Sequence, residues 1–241
     1  KIMKKKIISF VMLIMSFVGY SQVYSQAYSV LIVNGISKAE MQDHKGAIED
    51  YTKAIEINPS KTDAYYVRAV SKAEMQDHKG AIEDYIKIIE IDSKHLGAYF
   101  SRALSKIELN DHKGAIKDFT TAIEINPKKA EIYYDRGISK GILEDYRGAI
   151  EDYTKTIEID PKYALAYFFR ALNKFKLGDY RGAFLDHNES ISINPKNAEA
   201  YYHRGLVNIL LDQKNDGCLD FSKAGELGYD KAYDAIRDLC K

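Results

Sequence analysis

The chain has 241 residues, 46% hydrophobic and 29% charged, enough for one compact domain or one extended array. Lysine plus arginine equals aspartate plus glutamate at 35 each, but residues 1–21 hold four of the lysines and no acid, so the rest carries 31 basic against 35 acidic residues, a net −4. That balance argues against nucleic acid, which calls for a basic stripe, and four prolines with no low-complexity tract argue against long disordered linkers.

The first element is a leader. Lys4–Lys6 form a positive head, and Ile7–Gly19 is an uncharged, mostly apolar run. Gly19-Tyr20-Ser21 then sets small residues at −3 and −1 for cleavage before Gln22, with Ser25 as a second choice. Residues 1–21 have the layout of a secretory signal peptide. A spanning helix needs about 20 apolar residues, so an uncleaved anchor is the alternative. The expectation is an exported protein, periplasmic, envelope-associated or secreted, with no membrane span after cleavage.

Beyond the leader the sequence repeats. SKAEMQDHKGAIEDY stands at Ser37–Tyr51 and again at Ser71–Tyr85, with looser copies at Asp111–Phe119, Asp145–Tyr153 and Asp179–His187. Gly46, Gly80, Gly114, Gly148 and Gly182 are each 34 residues apart. In one unit, Ala64, Tyr65, Ala69, Val70 and Ala73 recur at helical spacing, as do Ala81, Ile82, Tyr85, Ile88 and Ile89. Gln76–Gly80 between them is polar, ends in glycine and predicts a turn. Asn58-Pro59, Asn126-Pro127, Asp160-Pro161 and Asn194-Pro195 stop the second helix. Each unit is therefore a helical hairpin that cannot bury its apolar face alone, so neighbours must stack.

Six units fit without gaps, at 28–61, 62–95, 96–129, 130–163, 164–197 and 198–231. Tyr229–Cys240 predicts one more amphipathic helix; within 229–241 it would cap the open apolar end and overlap the last repeat.

These units resemble tetratricopeptide repeats. The fourth carries the family's pattern as Tyr133, Gly137, Ala149, Tyr153 and Pro161, and the match extends over residues 28–231. The resemblance implies an all-α, right-handed α-solenoid of stacked antiparallel helical hairpins. Departures are regular: tyrosine stands for the usual tryptophan at Tyr65 and its equivalents, Arg68, Arg102, Arg136, Arg170 and Arg204 replace leucine, and Lys72, Lys106, Lys140 and Lys174 replace tyrosine. Ser93 replaces proline, so that junction is expected to be looser.

Each of those arginines has an aspartate sixteen residues later: Asp84, Asp118, Asp152, Asp186 and Asp220. In an antiparallel hairpin that spacing sets the two side by side, which predicts a charge-assisted pair joining the two helices. The first unit has Asp50 but Asn34, so its pair should be missing.

No constellation for chemistry appears. His44, His78 and His112 recur at the repeat period, about 10 Å apart in a stack, too far to converge on one ion, so no metal or cofactor is expected. No nucleophile elbow or phosphate loop is present, and the carboxylates fall on periodic faces, so the chain is read as non-enzymatic. Cys218 and Cys240 are the only cysteines; export favours a structural disulfide pinning the cap, two buried thiols being the alternative.

In the resembling family the first helices line a concave face. Carried over, the partner-binding candidates are Tyr66, Phe100, Tyr134, Phe168 and Tyr202, with Phe175 further along. At this spacing such rings either line a groove or fill gaps between repeats. Positions the fold requires should repeat, whereas positions freed for binding differ: Val67, Ser101, Asp135, Phe169 and His203, and Glu74, Glu108, Ile142, Lys176 and Leu210. The fifth unit stands apart, with Phe168, Phe169, Phe175 and Phe184; exposed together they would be the first contact surface. The Lys/Asn carboxylate clamp of some family members is replaced here by Tyr66 and Val70, then Phe100 and Leu104. The expected function is binding of a peptide or protein partner. Alternatives are an assembly scaffold without a discrete groove, or a small-molecule or glycan-binding protein using the tyrosine-rich face.

Overall fold

The recurring Asp-x-x-Gly is a helix start. Asp43, Asp77, Asp111, Asp145 and Asp179 each accept a hydrogen bond from the backbone N–H of the glycine three residues on, at 2.9–3.0 Å. This satisfies one of the donors that a helix N-terminus leaves open. The glycine therefore sits inside the first turn of the second helix, not at the end of the loop as the sequence suggested. A Cβ on Gly80 would stand 2.2 Å from Asp77 Oδ2, so the cap itself demands glycine. The left-handed turn residue comes earlier, at Gln42, Gln76, Asn110 and Glu144, with φ of 60–66°, and at Gly178.

The computed structural model describes residues 22–241; the leader expected over 1–21 lies outside the described residues. The described chain is helical, with no strand, and forms two compact units, one ending at Leu109 and one running Asn110–Lys241. The first unit holds α1 (helical over 22–40), α2 (His44–Ile57), α3 (Thr62–Glu74), α4 (His78–Ile91) and α5 (Leu96–Glu108). The second holds α6 (His112–Ile125), α7 (Ala130–Ile142), α8 (Tyr146–Ile159), α9 (Ala164–Lys176), α10 (Tyr180–Ile193), α11 (Ala198–Leu210), α12 (Lys214–Glu226) and α13 (Lys231–Leu239). Within each unit, successive helices pack as antiparallel hairpins in a solenoid.

The core pairs large rings with alanines. In the first unit Tyr65, Ala69, Ala81, Tyr85, Ile88 and Ala98 form one buried cluster. In the second, Tyr134, Ala149, Tyr153 and Ala166 form another. Each buried ring contributes about 2–3 kcal/mol relative to exposure, and the small partners let the helices approach. The helix α4 stops at Ile91 without a proline: Asp92 Oδ1 accepts the Lys94 N–H at 3.0 Å, as Asp160 does for Lys162 beside Pro161. The Ser93 junction is thus built like its proline-bearing counterparts.

The arginines form forked pairs. Arg68 gives Asp84 two bonds, Nε to Oδ2 at 2.9 Å and an Nη to Oδ1 at 2.6 Å. Arg136–Asp152, Arg170–Asp186 and Arg204–Asp220 repeat this geometry. Arg102 and Asp118 fall in different units. Two further partners were not foreseen. The remaining arginine nitrogen donates to the preceding hairpin: Arg68 to Thr52, Arg136 to Thr120, Arg170 to Thr154, and Arg204 to Asn188. A lysine four residues on also joins the aspartate, as Lys72–Asp84 at 2.9 Å, Lys140–Asp152 at 2.8 Å and Lys174–Asp186 at 2.8 Å. In the first hairpin, where Asn34 stands for arginine, Lys38 takes Asp50 at 2.6 Å.

At the C-terminal end Ala232 and Ala235 of α13 pack on Phe221 and Ala224 of α12. Cys218 on α12 is bonded to Cys240 just past α13, closing a loop of sequence separation 22.

Candidate binding groove

Between the first helices of two neighbouring hairpins, α7 and α9, lies an open groove of about 210 Å³. On α7 it is lined by Ile138, Gly141 and Ile142, spaced three and four residues so that they share one face. On α9 Phe169, Leu172, Asn173 and Lys176 share the opposing face, and Tyr146 and Tyr153 of α8 close the floor.

The opening has a local cause. Equivalent positions in other hairpins carry Ala73, Ile107, Phe175 and Ile209. Gly141 carries no side chain, and a Cβ there would meet Asn173 Oδ1 at 3.3 Å and the Ala149 Cβ at 3.9 Å. A longer side chain would project into the space that is now the groove.

The floor has an unused polar group. In the first unit, the tyrosine of the second helix finds a serine on the next hairpin. Ser71 lies beside the Tyr51 hydroxyl and Ser101 beside that of Tyr85, and Ser101 hydrogen-bonds the Tyr66 hydroxyl at 3.1 Å. Burial pushes the Tyr85 hydroxyl up to about 12, with the neighbouring Ser101 hydroxyl acting the other way. At Tyr153 the position of Ser101 is taken by Phe169, whose ring stacks at 6.1 Å and accepts nothing. Asn173, at the position of Ser71, turns its amide to its own helix, donating to the Phe169 carbonyl at 2.7 Å. The Tyr153 hydroxyl makes no hydrogen bond among the described residues, and burial, then Tyr134, Asp152 and Asp135, hold its pKa far above the ordinary range. At the groove's end Lys176 is exposed and pairs with no carboxylate among the described residues.

The expected partner-binding stripe divides. Phe168 is 4% exposed and Tyr134 is 9% exposed; both fill gaps between hairpins. Phe168 packs on Phe169 at 5.2 Å, His187 at 5.7 Å and His203 at 5.8 Å. The aromatic patch expected on the fifth hairpin is therefore not exposed as a set, because Phe168 is spent on packing. Tyr66 lies half-buried against Tyr85 and His95. Tyr202 does so against Phe221 and Tyr229, and Phe175 turns its edge to Tyr180. Phe100 is half-buried. Phe169 alone of the set borders the groove. Tyr153, Asn173 and Tyr146 were missed; comparing Ser71 with Asn173 and Ser101 with Phe169 along the period would have found the first two.

Two other features stand apart. His187 is fully buried with both ring nitrogens unpartnered, and burial, then His203 and Arg204, lower its pKa to about 3. His203 stacks on it at 6.1 Å and is lowered to about 4 by burial and Lys231. On α10 and α12, Leu185 and Leu219 are 63% and 69% exposed, where earlier hairpins carry Glu49, Glu83, Lys117 and Glu151. Among the described residues no cluster of three or more His, Cys, Asp or Glu could hold a metal ion, and no helix is long and apolar enough to cross a membrane.

Family models match in two forms. One described as a tetratricopeptide repeat matches residues 35–61, 62–95 and 130–163, and one described as a TPR repeat matches 104–140, together about half of the chain. No curated protein matches in sequence. Among solved structures, MamA is 24% identical with a TM-score of 0.65, over 68% of this chain and 96% of its own. YrrB, a TPR protein with an unusual peptide-binding site, is 21% identical with a TM-score of 0.69, over 78% and 97%. Pseudomonas aeruginosa PilF is 17% identical with a TM-score of 0.70, over 86% and 97%. At these identities the likeness is one of fold.

Proposed function

The chain belongs to the tetratricopeptide repeat family, and on that footing we propose that it is a non-catalytic protein-interaction module that seats an extended segment of a partner in the α7–α9 groove. The fold is that of proteins that bind other proteins. The observation that carries the site is the groove itself, apolar, open, and present because Gly141 lacks a side chain. An extended peptide suits such a trough, with alternate side chains entering it. A photo-crosslinking residue at Ile142, in cells making the protein, should capture a partner. Gly141→Ile should abolish the capture. Equal capture from Glu83, away from the groove, would count against this site.

A second reading, an assembly scaffold, is favoured by Leu185 and Leu219, where leucine replaces charge on two successive hairpins. Changing both to Glu while partner recovery persists would remove it. Export is proposed on the layout of residues 1–21, and a Cys218–Cys240 bridge suits an oxidising compartment. Cell fractionation that finds the chain only in the cytosol would overturn it.

A further inference from the structure

We infer that the α7–α9 groove selects a segment with an apolar side chain and, two residues away, an acidic side chain: the first enters the space left by Gly141, the second meets Lys176. This rests on the proposed groove and names the chemistry of what fills it.

Three observations converge. The trough beside Gly141 is walled by Ile138, Phe169 and Leu172, a surface that rewards an aliphatic or aromatic side chain. Its rim carries one ammonium, Lys176, with no acid beside it, so a ligand carboxylate would supply the absent counter-charge. Its floor is Tyr153, a side chain 1% exposed whose hydroxyl has no partner among the described residues and would gain one if a backbone carbonyl of the bound segment reached it.

Spacing fixes the pattern. Lys176 lies four residues beyond Leu172, about 6 Å along the helix axis. An extended peptide advances about 3.3 Å per residue and turns every second side chain to the same side. A residue two places from the buried one therefore reaches Lys176. A chain terminus is the poorer occupant: the groove lining offers a single cation and no converging set of backbone N–H groups such as carboxyl-terminal capture uses.

The test is a random heptapeptide library, blocked at both ends, selected on the full chain and on three variants. Wild type should enrich an apolar residue two places from Asp or Glu. Lys176→Glu should replace the acid with Lys or Arg in the enriched set and weaken the best wild-type peptide by about tenfold or more, a change of about 1.4 kcal/mol. Gly141→Ile should lose the apolar preference; isoleucine occupies the equivalent Ile107 and Ile209, and Gly141→Ala with circular dichroism controls for folding. Tyr153→Phe should weaken binding without altering sequence preference. If peptides enrich and depend on Gly141 but carry no acid, or keep it with Lys176→Glu, this inference falls and the groove stands. If Gly141→Ile changes nothing, or no peptide is enriched, both fall.

Discussion

Arg170 donates a 3.0 Å hydrogen bond to Thr154, a residue sixteen positions earlier on the preceding hairpin, while its other nitrogens grip Asp186 sixteen positions later. One side chain thus joins the second helices of two neighbouring hairpins. The arginine is 15% exposed and the aspartate 6%, so the pair is largely desolvated. Arg170→Met leaves Asp186 with Lys174 alone and is expected to cost about 2–4 kcal/mol in denaturant unfolding. Thr154→Val removes the bond between hairpins together with the hydroxyl's own bond to the Ile150 carbonyl at 2.7 Å, and should cost about 1 kcal/mol. Equal costs would mean the arginine's reach to Thr154 matters as much as its fork.

Phe168→Ala should behave as a core deletion. Its ring is 4% exposed among Phe169, His187 and His203, and its loss should cost about 3–5 kcal/mol. Phe169→Ala, bordering the groove, should cost less stability and more peptide affinity. Calorimetry on the two variants separates these outcomes.

His187 stands where other hairpins carry Tyr51, Tyr85, Phe119, Tyr153 and Phe221. Its unpartnered nitrogens cost desolvation that a phenyl ring avoids. His187→Phe should therefore stabilise the protein by about 1–3 kcal/mol at neutral pH.

The same histidines set an acid limit. Their folded pKa values, about 3 for His187 and about 4 for His203, lie below the ordinary 6.5, so the unfolded chain binds more protons between those values. Stability is complete above about 6.5 and falls as pH drops toward 4. Asp135 acts with the opposite sign. Burial and the charge of Glu131 raise it to about 7, so its contribution is complete below the ordinary 3.8 and is lost as pH rises through 7. Melting curves from pH 4 to 8 should show His187→Phe flattening the acid limb and Asp135→Asn raising the alkaline one.

Reduction should loosen the cap. The Cys218–Cys240 bridge closes a loop of sequence separation 22, worth about 3 kcal/mol in the chain-entropy model. Reductant should lower the melting temperature of wild type and leave a Cys218→Ala, Cys240→Ala double variant unmoved.

The period of Gly46, Gly80, Gly114, Gly148 and Gly182 was enough to lay out the hairpins, because repetition leaves stacking as the only way to bury their apolar faces. The Arg–Asp forks were legible for a related reason: sixteen residues across a known turn is a fixed separation. The bonds to Thr52, Thr120 and Thr154 were not, since they depend on the rotation between hairpins, which no single repeat encodes. Gly141 was legible only as a small residue in a row of larger ones; that its absent side chain opens a groove depends on Asn173 and Tyr153 from two other helices. Phe168 misled because adjacent aromatic residues look alike in sequence, while a helix turns each by about 100°, sending Phe168 inward and Phe169 to the groove.

The Arg–Thr bonds carry a mechanical consequence. Thr52, Thr120 and Thr154 each accept an arginine from the next hairpin, so each of these bonds ties two stacked hairpins together. Stacked repeats part at interfaces and not through their middles. Under tension, Thr52→Ile would lower the force at which the interface of α2 and α3 yields, because Arg68 would lose its hold on the preceding hairpin.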